Sequence, residues 1–158
     1  SPMLLMHPVQ GTGIGVGWED PCPFWDDDGN AYLGHSYLGC GPIIVHKMAP
    51  DGTKLLDDGT EVYRGPCAEG TKFYSRNGYV YLIIPEGGVG GGYEEALRAK
   101  SIYGPYENKT ILHQGSTKIN GPHQGGLIQI PSGEWWLMHF QQVSTQGRIV
   151  HLQPCPWH

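Results

Sequence analysis

Asp20, Glu69 and His123 head three segments that repeat one another: D20-P-C-P-F-W-D-D-D-G-N-A-Y-L-G, E69-G-T-K-F-Y-S-R-N-G-Y-V-Y-L-I and H123-Q-G-G-L-I-Q-I-P-S-G-E-W-W-L-M. In each, an ionisable residue leads into a short apolar run. A glycine follows 9, 9 and 10 positions on, at Gly29, Gly78 and Gly133, and then an aromatic run. Two carboxylates and an imidazole at one cleft suit acid-assisted cleavage of a glycosidic bond. One carboxyl must stay protonated to give its proton to the leaving oxygen, and a neighbouring negative charge raises its pKa. Glu69 suits the acid and Asp20 the charge that tunes it. Taken singly, either reads as a strand-starting acid that accepts backbone hydrogen bonds; their matched places in the repeat favour the chemical reading.

Residues 49 and 54 positions apart in the chain meet only if a repeated unit brings them together. D-D-G-N, R-N-G-Y and P-S-G-E supply the positive φ of hairpin loops, and each joins two runs of strand composition. A further strand pair follows each hairpin, as in Ile43-Ile44-Val45, P-D-G-T and Val62-Tyr63. Four strands per unit of about 50 residues is the signature of a β-propeller blade. The fold class expected is therefore all-β: a partial propeller of about three four-stranded antiparallel blades, with approximate limits 14–66, 67–117 and 118–158 in one module. Strands that line the axis would bring Asp20, Glu69 and His123 to one end of the channel. Asp26, Asp27, Asp28, Asp57 and Asp58 fall at turns and read as solvated turn acids. The best helical candidate, Glu94 to Lys100, is short and reads as a strand of the second blade.

Composition agrees. Glycine contributes 25 of 158 residues, against a usual share of ~7%, and proline 13 more. A net charge of -5 supplies no basic face, which argues against nucleic acid or an anionic membrane as a partner. No apolar run approaches the ~20 residues of a membrane span. The opening S-P-M-L-L-M-H-P lacks the features of a secretory leader, and a leader removed upstream is compatible with it. Cys22, Cys40, Cys67 and Cys155 are few and scattered, without zinc spacing, and read as free, partly buried thiols.

W18-E-D-P-C-P-F-W-D-D-D-G-N-A-Y-L, A68-E-G-T-K-F-Y-S-R-N-G-Y-V-Y-L, S101-I-Y-G-P-Y-E, I119-N-G-P-H-Q-G-G and G147-R-I-V-H-L-Q-P follow one another as in glycoside hydrolase family 43, which the chain resembles over nearly its whole length. That family comprises five-bladed propeller enzymes acting on arabinose- and xylose-containing polysaccharides, and the match spans about three blades. The resemblance implies that Glu69 is the general acid and Asp20 the acid-tuning, substrate-orienting aspartate. It implies that Arg148 hydrogen-bonds sugar hydroxyls, and that His123 is the axial histidine helping to hold a hydrated calcium or other ion. It also implies inversion at the anomeric carbon and an extracellular or periplasmic setting. The family's general base is an aspartate in an earlier D-P motif. Here the sole D-P is Asp20-Pro21, and residues 1–18 contain no aspartate. Two classes of function follow: a hydrolase of arabinofuranosyl or xylosyl linkages whose base comes from elsewhere, or a carbohydrate-binding or assembly module without turnover. An arc of three blades leaves strand edges open, so a second copy or a complementing chain is expected to cover them.

Weaker signals remain. G11-T-G-I-G-V-G17 and G87-G-V-G-G-G92 invite a phosphate-loop reading but lack the strand, helix and G-K-S/T it needs, and read as loops. Among the aromatics, Trp18 and Phe24 are the candidates for stacking on sugar, the rest being core. His35, His139 and His151 lie in strand contexts. Asn108-Lys109-Thr110 fits a glycosylation sequon and reads as a surface turn.

Overall fold

The computed structural model describes residues 17–157; the glycine run from Gly11 lies almost wholly outside them. The first sheet contains β1 (Trp18–Trp25), β2 (Ala31–Tyr37), β3 (Gly41–Met48) and β4 (Thr60–Ala68). The second contains β5 (Lys72–Arg76), β6 (Tyr79–Glu86), β7 (Tyr93–Ala99) and β8 (Glu107–Leu112). The third contains β9 (His123–Gln129), β10 (Trp135–Val143) and β11 (Gly147–Pro154). All ladders are antiparallel, and within each sheet the strands lie in chain order. These are the blades of a partial β-propeller. The third has three strands among the described residues where four were expected. After Pro154 the backbone makes one more bond, Cys155 N–H to the Trp135 carbonyl.

The repeat read from the sequence is the hairpin of the first two strands in each blade. Gly29, Gly78 and Gly133 all turn with positive φ, at 80°, 70° and 91°, which only glycine adopts at little cost. Asp26 closes the first of these turns, its carboxylate accepting the backbone N–H of Asp28 and Asn30. Glu94 to Ala99 lies in β7, as expected of a strand. Gly88–Gly91 forms a single helical turn, α1, in place of the loop expected there. Asn108 lies on β8 rather than on a turn, its amide donating to Glu95.

The main core lies between the first and second blades. Ile43 and Val45 of β3 meet Leu82 and Ile84 of β6 and Leu97 of β7, all fully buried. Each such side chain contributes roughly 1.5–3 kcal/mol. A smaller cluster, Ala31, Leu33 and Met48, packs against Trp18.

Polar bonds carry the blade contacts further. Tyr63 of β4 donates its hydroxyl to Glu95 of β7, and Cys67 N–H donates to Glu86 Oε2 at 2.9 Å. On the other side, Gly125 N–H of β9 donates to Glu94 Oε1 at 2.9 Å and Leu127 N–H donates to the Tyr74 hydroxyl. Three acids of the second blade, Glu86, Glu94 and Glu95, are buried for this purpose.

The cysteine expectation needs correction. Cys22 and Cys155 are free, but Cys40 and Cys67 form a disulfide. They lie at the irregular end of the antiparallel β3–β4 ladder, beside the Gly41–Ala68 pair, with a Cα separation of 4.6 Å. A spacing of 27 residues conceals that neighbourhood.

Candidate active site

Two of the innermost strands bulge where they reach the axis. Along β1, Glu19 pairs with Ser36 and Cys22 with Gly34, so three steps on β1 answer two on β2. Along β9, His123 pairs with Phe140 and Gly126 with Met138, again three steps against two. Each bulge holds a non-glycine residue at positive φ, Asp20 at 53° and Gln124 at 56°. Such backbone costs on the order of 1–3 kcal/mol and persists where its surroundings fix it. A bulge re-aims side chains, and here Gln124 Nε2 donates to Asp20 Oδ2 at 2.8 Å. Lys72 Nζ, at the start of β5, donates to Gln124 Oε1 at 2.9 Å, so all three blades meet in one chain of bonds.

Glu69 sits on the short link between β4 and β5, where its N–H is bonded to the Pro85 carbonyl. Oxygens of Glu19, Asp20 and Glu69 lie within 4.8 Å of one another. Glu69 Oε1 is 3.6 Å from His123 Nε2. The convergence expected of Asp20, Glu69 and His123 is therefore present, and Glu19, Lys72 and Gln124 join it. Sequence reasoning passed over these three because the repeat marks only the leading position of each unit.

Partial burial raises the Glu69 pKa, Glu19 and Asp20 raise it further by repulsion, and Arg148 opposes them. Burial drives His123 down to about 4, with Arg148 adding to the effect, so the imidazole is neutral at pH 7. The Glu69–His123 approach is thus a contact with a neutral ring rather than an ion pair. A carboxyl that holds its proton longer than usual has a property required of a general acid.

The other expected site residues are placed as follows. Arg148, exposed on β11, lies over the Phe140 ring at 4.6 Å and close enough to act on the charge of Glu69. Trp18 stacks on His35 at 3.6 Å, and Phe24 stacks on Phe73 at 5.2 Å, so one face of each ring is taken up by the protein. His35 is buried against His46, and His139 stacks on His151. The calcium expected at His123 finds a poor donor set. Its Nδ1 is buried without a partner, but calcium takes oxygen ligands, six to eight of them. Among the described residues the groups of possible ligands near Glu69 do not include His123.

The model of glycosyl hydrolases family 43 matches residues 8–158. A protein of Xylanibacter ruminicola that carries a provisional beta-xylosidase name is 64% identical over 140 residues, 89% of this chain and 27% of that protein. A beta-xylosidase of Formosa agariphila is 35% identical, covering 88% of this chain and 28% of its own length. The chain thus spans less than a third of these relatives. Among solved structures, the family 43 protein BlXynB of Bacillus licheniformis superimposes with a TM-score of 0.78 at 27% identity, over 91% of this chain and 30% of that one. An engineered family 43 hydrolase with endo-xylanase and exo-arabinofuranosidase activity gives 0.75 at 31% identity, over 88% and 27%. With the three blades, the acid cluster at their axis and the match over residues 8–158, the chain belongs to glycosyl hydrolase family 43.

Proposed function

We propose that residues 1–158 are the part of an inverting glycosidase that carries its general acid, acting on β-D-xylosyl or α-L-arabinofuranosyl linkages of plant cell-wall polysaccharides. Glu69 protonates the leaving oxygen, Asp20 keeps that proton in place by its charge, and Arg148 binds sugar hydroxyls. The observation that carries this is the raised Glu69 carboxyl packed against Glu19 and Asp20. Relatives named beta-xylosidase, and a Humicola insolens relative named xylosidase/arabinosidase 43B that is 31% identical, support the sugar class.

Inversion also needs a carboxylate base ~6.5–9.5 Å from the acid, with a water between them. Oxygens of Glu19 and Asp20 within 4.8 Å of Glu69 leave no such room, so both are assigned to tuning. The base is assigned to an aspartate from outside residues 1–158, in further polypeptide of the same protein or in a second chain. The same shortfall favours a second reading, in which residues 1–158 alone bind carbohydrate without turning it over.

Hydrolysis of 4-nitrophenyl β-D-xyloside and α-L-arabinofuranoside by residues 1–158 together with the polypeptide that supplies the base tests the first reading, with Glu69→Ala run alongside. Turnover that the substitution removes, with sugar binding retained, supports it. Turnover that Glu69→Ala leaves unchanged overturns it, and sugar binding without turnover in that assembly leaves the second.

A further inference from the structure

Behind Asp20 lies a side-chain chain that neither the repeat nor the acid chemistry calls for. Lys72 is half-buried at the start of β5, where desolvation pushes its pKa down while Cys22, Asp20 and Glu94 pull it back up. Its ammonium donates to the Gly70 carbonyl and to Gln124 Oε1. Gln124 in turn donates from Nε2 to Asp20 Oδ2. The direction of these bonds is forced. A lysine ammonium has donors only, so the amide oxygen must face it. The planar amide then turns its N–H groups toward Asp20, which must accept. Gln124 holds a strained backbone, φ 56°, to make this reach, as Asp20 does from its own bulge at 53°. Space is reserved for it as well: a Cβ on Gly70, itself at φ +60°, would stand 2.6 Å from the Gln124 amide.

We propose that Lys72 and Gln124 are positioning residues for Asp20: a one-way relay, anchored on the half-buried Lys72 ammonium, that fixes the Gln124 amide and through it the plane of the Asp20 carboxylate facing Glu69. The proposal rests on the reading of Asp20 as the charge that tunes Glu69. Among the described residues neither Lys72 nor Gln124 is hydrogen-bonded to Glu69; their bonds run to Gly70, to each other and to Asp20. Their part is to keep one oxygen of Asp20 bonded, so that the carboxylate cannot rotate away from the acid. Because Asp20, Lys72 and Gln124 come from three different blades, the relay also makes the geometry of the cleft depend on how the blades are docked.

Nuclear magnetic resonance on the isotope-labelled chain tests this without requiring turnover. Signals of the Gln124 side-chain amide are identified by their loss in Gln124→Met, and the Asp20 carboxylate carbon by its loss in Asp20→Asn. We expect one Gln124 amide proton to be shifted downfield and to exchange slowly. Lys72→Met should collapse that signature and shift the Asp20 carbon, while the Cys67 N–H, bonded to Glu86 on the far side of the second blade, stays put. Gln124→Glu separates positioning from packing, since it keeps an oxygen for Lys72 but has no donor for Asp20. It should shift the Asp20 carbon as Gln124→Met does while the circular dichroism of the fold is retained. The relay is overturned by a Gln124 amide that exchanges as freely as that of a surface glutamine. It is equally overturned by an Asp20 carbon that does not move in the two Gln124 variants. Should Lys72→Met fail to fold, the two Gln124 variants decide. Hydrolysis by the base-supplied protein that Glu69→Ala leaves unchanged would count against the functional reading and leave the relay intact.

Discussion

Glu94 on β7 accepts the backbone N–H of Gly125 on β9 at 2.9 Å, so a buried acid of the second blade holds the opening of the third. Its other oxygen is buried without a partner. Burial lifts this carboxyl from its ordinary value of 4.5 to about 7, with the Gly125 bond and Lys72 acting the other way. The folded chain therefore keeps a proton on Glu94 that the unfolded chain gives up. The stability this confers is fully present below pH 4.5 and is lost as pH rises through about 7. We expect Glu94→Gln to remove that loss, up to about 3 kcal/mol across the window. Denaturant unfolding of both proteins from pH 4 to 8 measures it. His35 and His123, driven down to about 4, slope the opposite way in both proteins and cancel in the difference.

The Cys40–Cys67 disulfide closes a separation of 27 residues and ends two positions before Glu69. A loop of that size implies that reduction costs about 3.5 kcal/mol. Thermal unfolding with and without dithiothreitol checks this, with Cys40→Ser/Cys67→Ser as the control that should not respond.

Val150 and Leu152, 65% and 50% exposed, lie two apart on β11 and so on one face of it. That strand pairs only with β10 among the described residues. An apolar, unpaired edge of this kind recruits another chain, so the isolated chain should self-associate. Val150→Lys/Leu152→Lys should shift it toward monomer in native mass spectrometry. A wild-type chain that stays monomeric at micromolar concentration contradicts this.

Leu82 is fully buried where the first two blades meet. Leu82→Ala should destabilise by about 2–5 kcal/mol, the usual cost of emptying a core position of this size. Chemical denaturation monitored by tryptophan fluorescence reads it.

The hairpins were readable from the sequence because a turn glycine and period-two apolar runs are local signals, and Gly29, Gly78 and Gly133 all behave as read. Asp20, Glu69 and His123 emerged because the repeat places them alike. What stayed hidden depends on pairing between distant segments. Cys40 meets Cys67 only through the β3–β4 register, and Gln124 meets Asp20 across 104 positions through two bulges that no residue type announces. Glu86, Glu94 and Glu95 look like solvated strand acids in isolation. Burial and blade contacts alone reveal their work.

Burial and the charges of Glu19 and Asp20 hold the Glu69 carboxyl above its ordinary pKa. Its carboxyl carbon, identified by its loss in Glu69→Gln, can be titrated by nuclear magnetic resonance in the wild type and in Asp20→Asn. A midpoint above the ordinary 4.5 that falls when the Asp20 charge is removed agrees with the site described. A midpoint at or below 4.5, unmoved by Asp20→Asn, contradicts it.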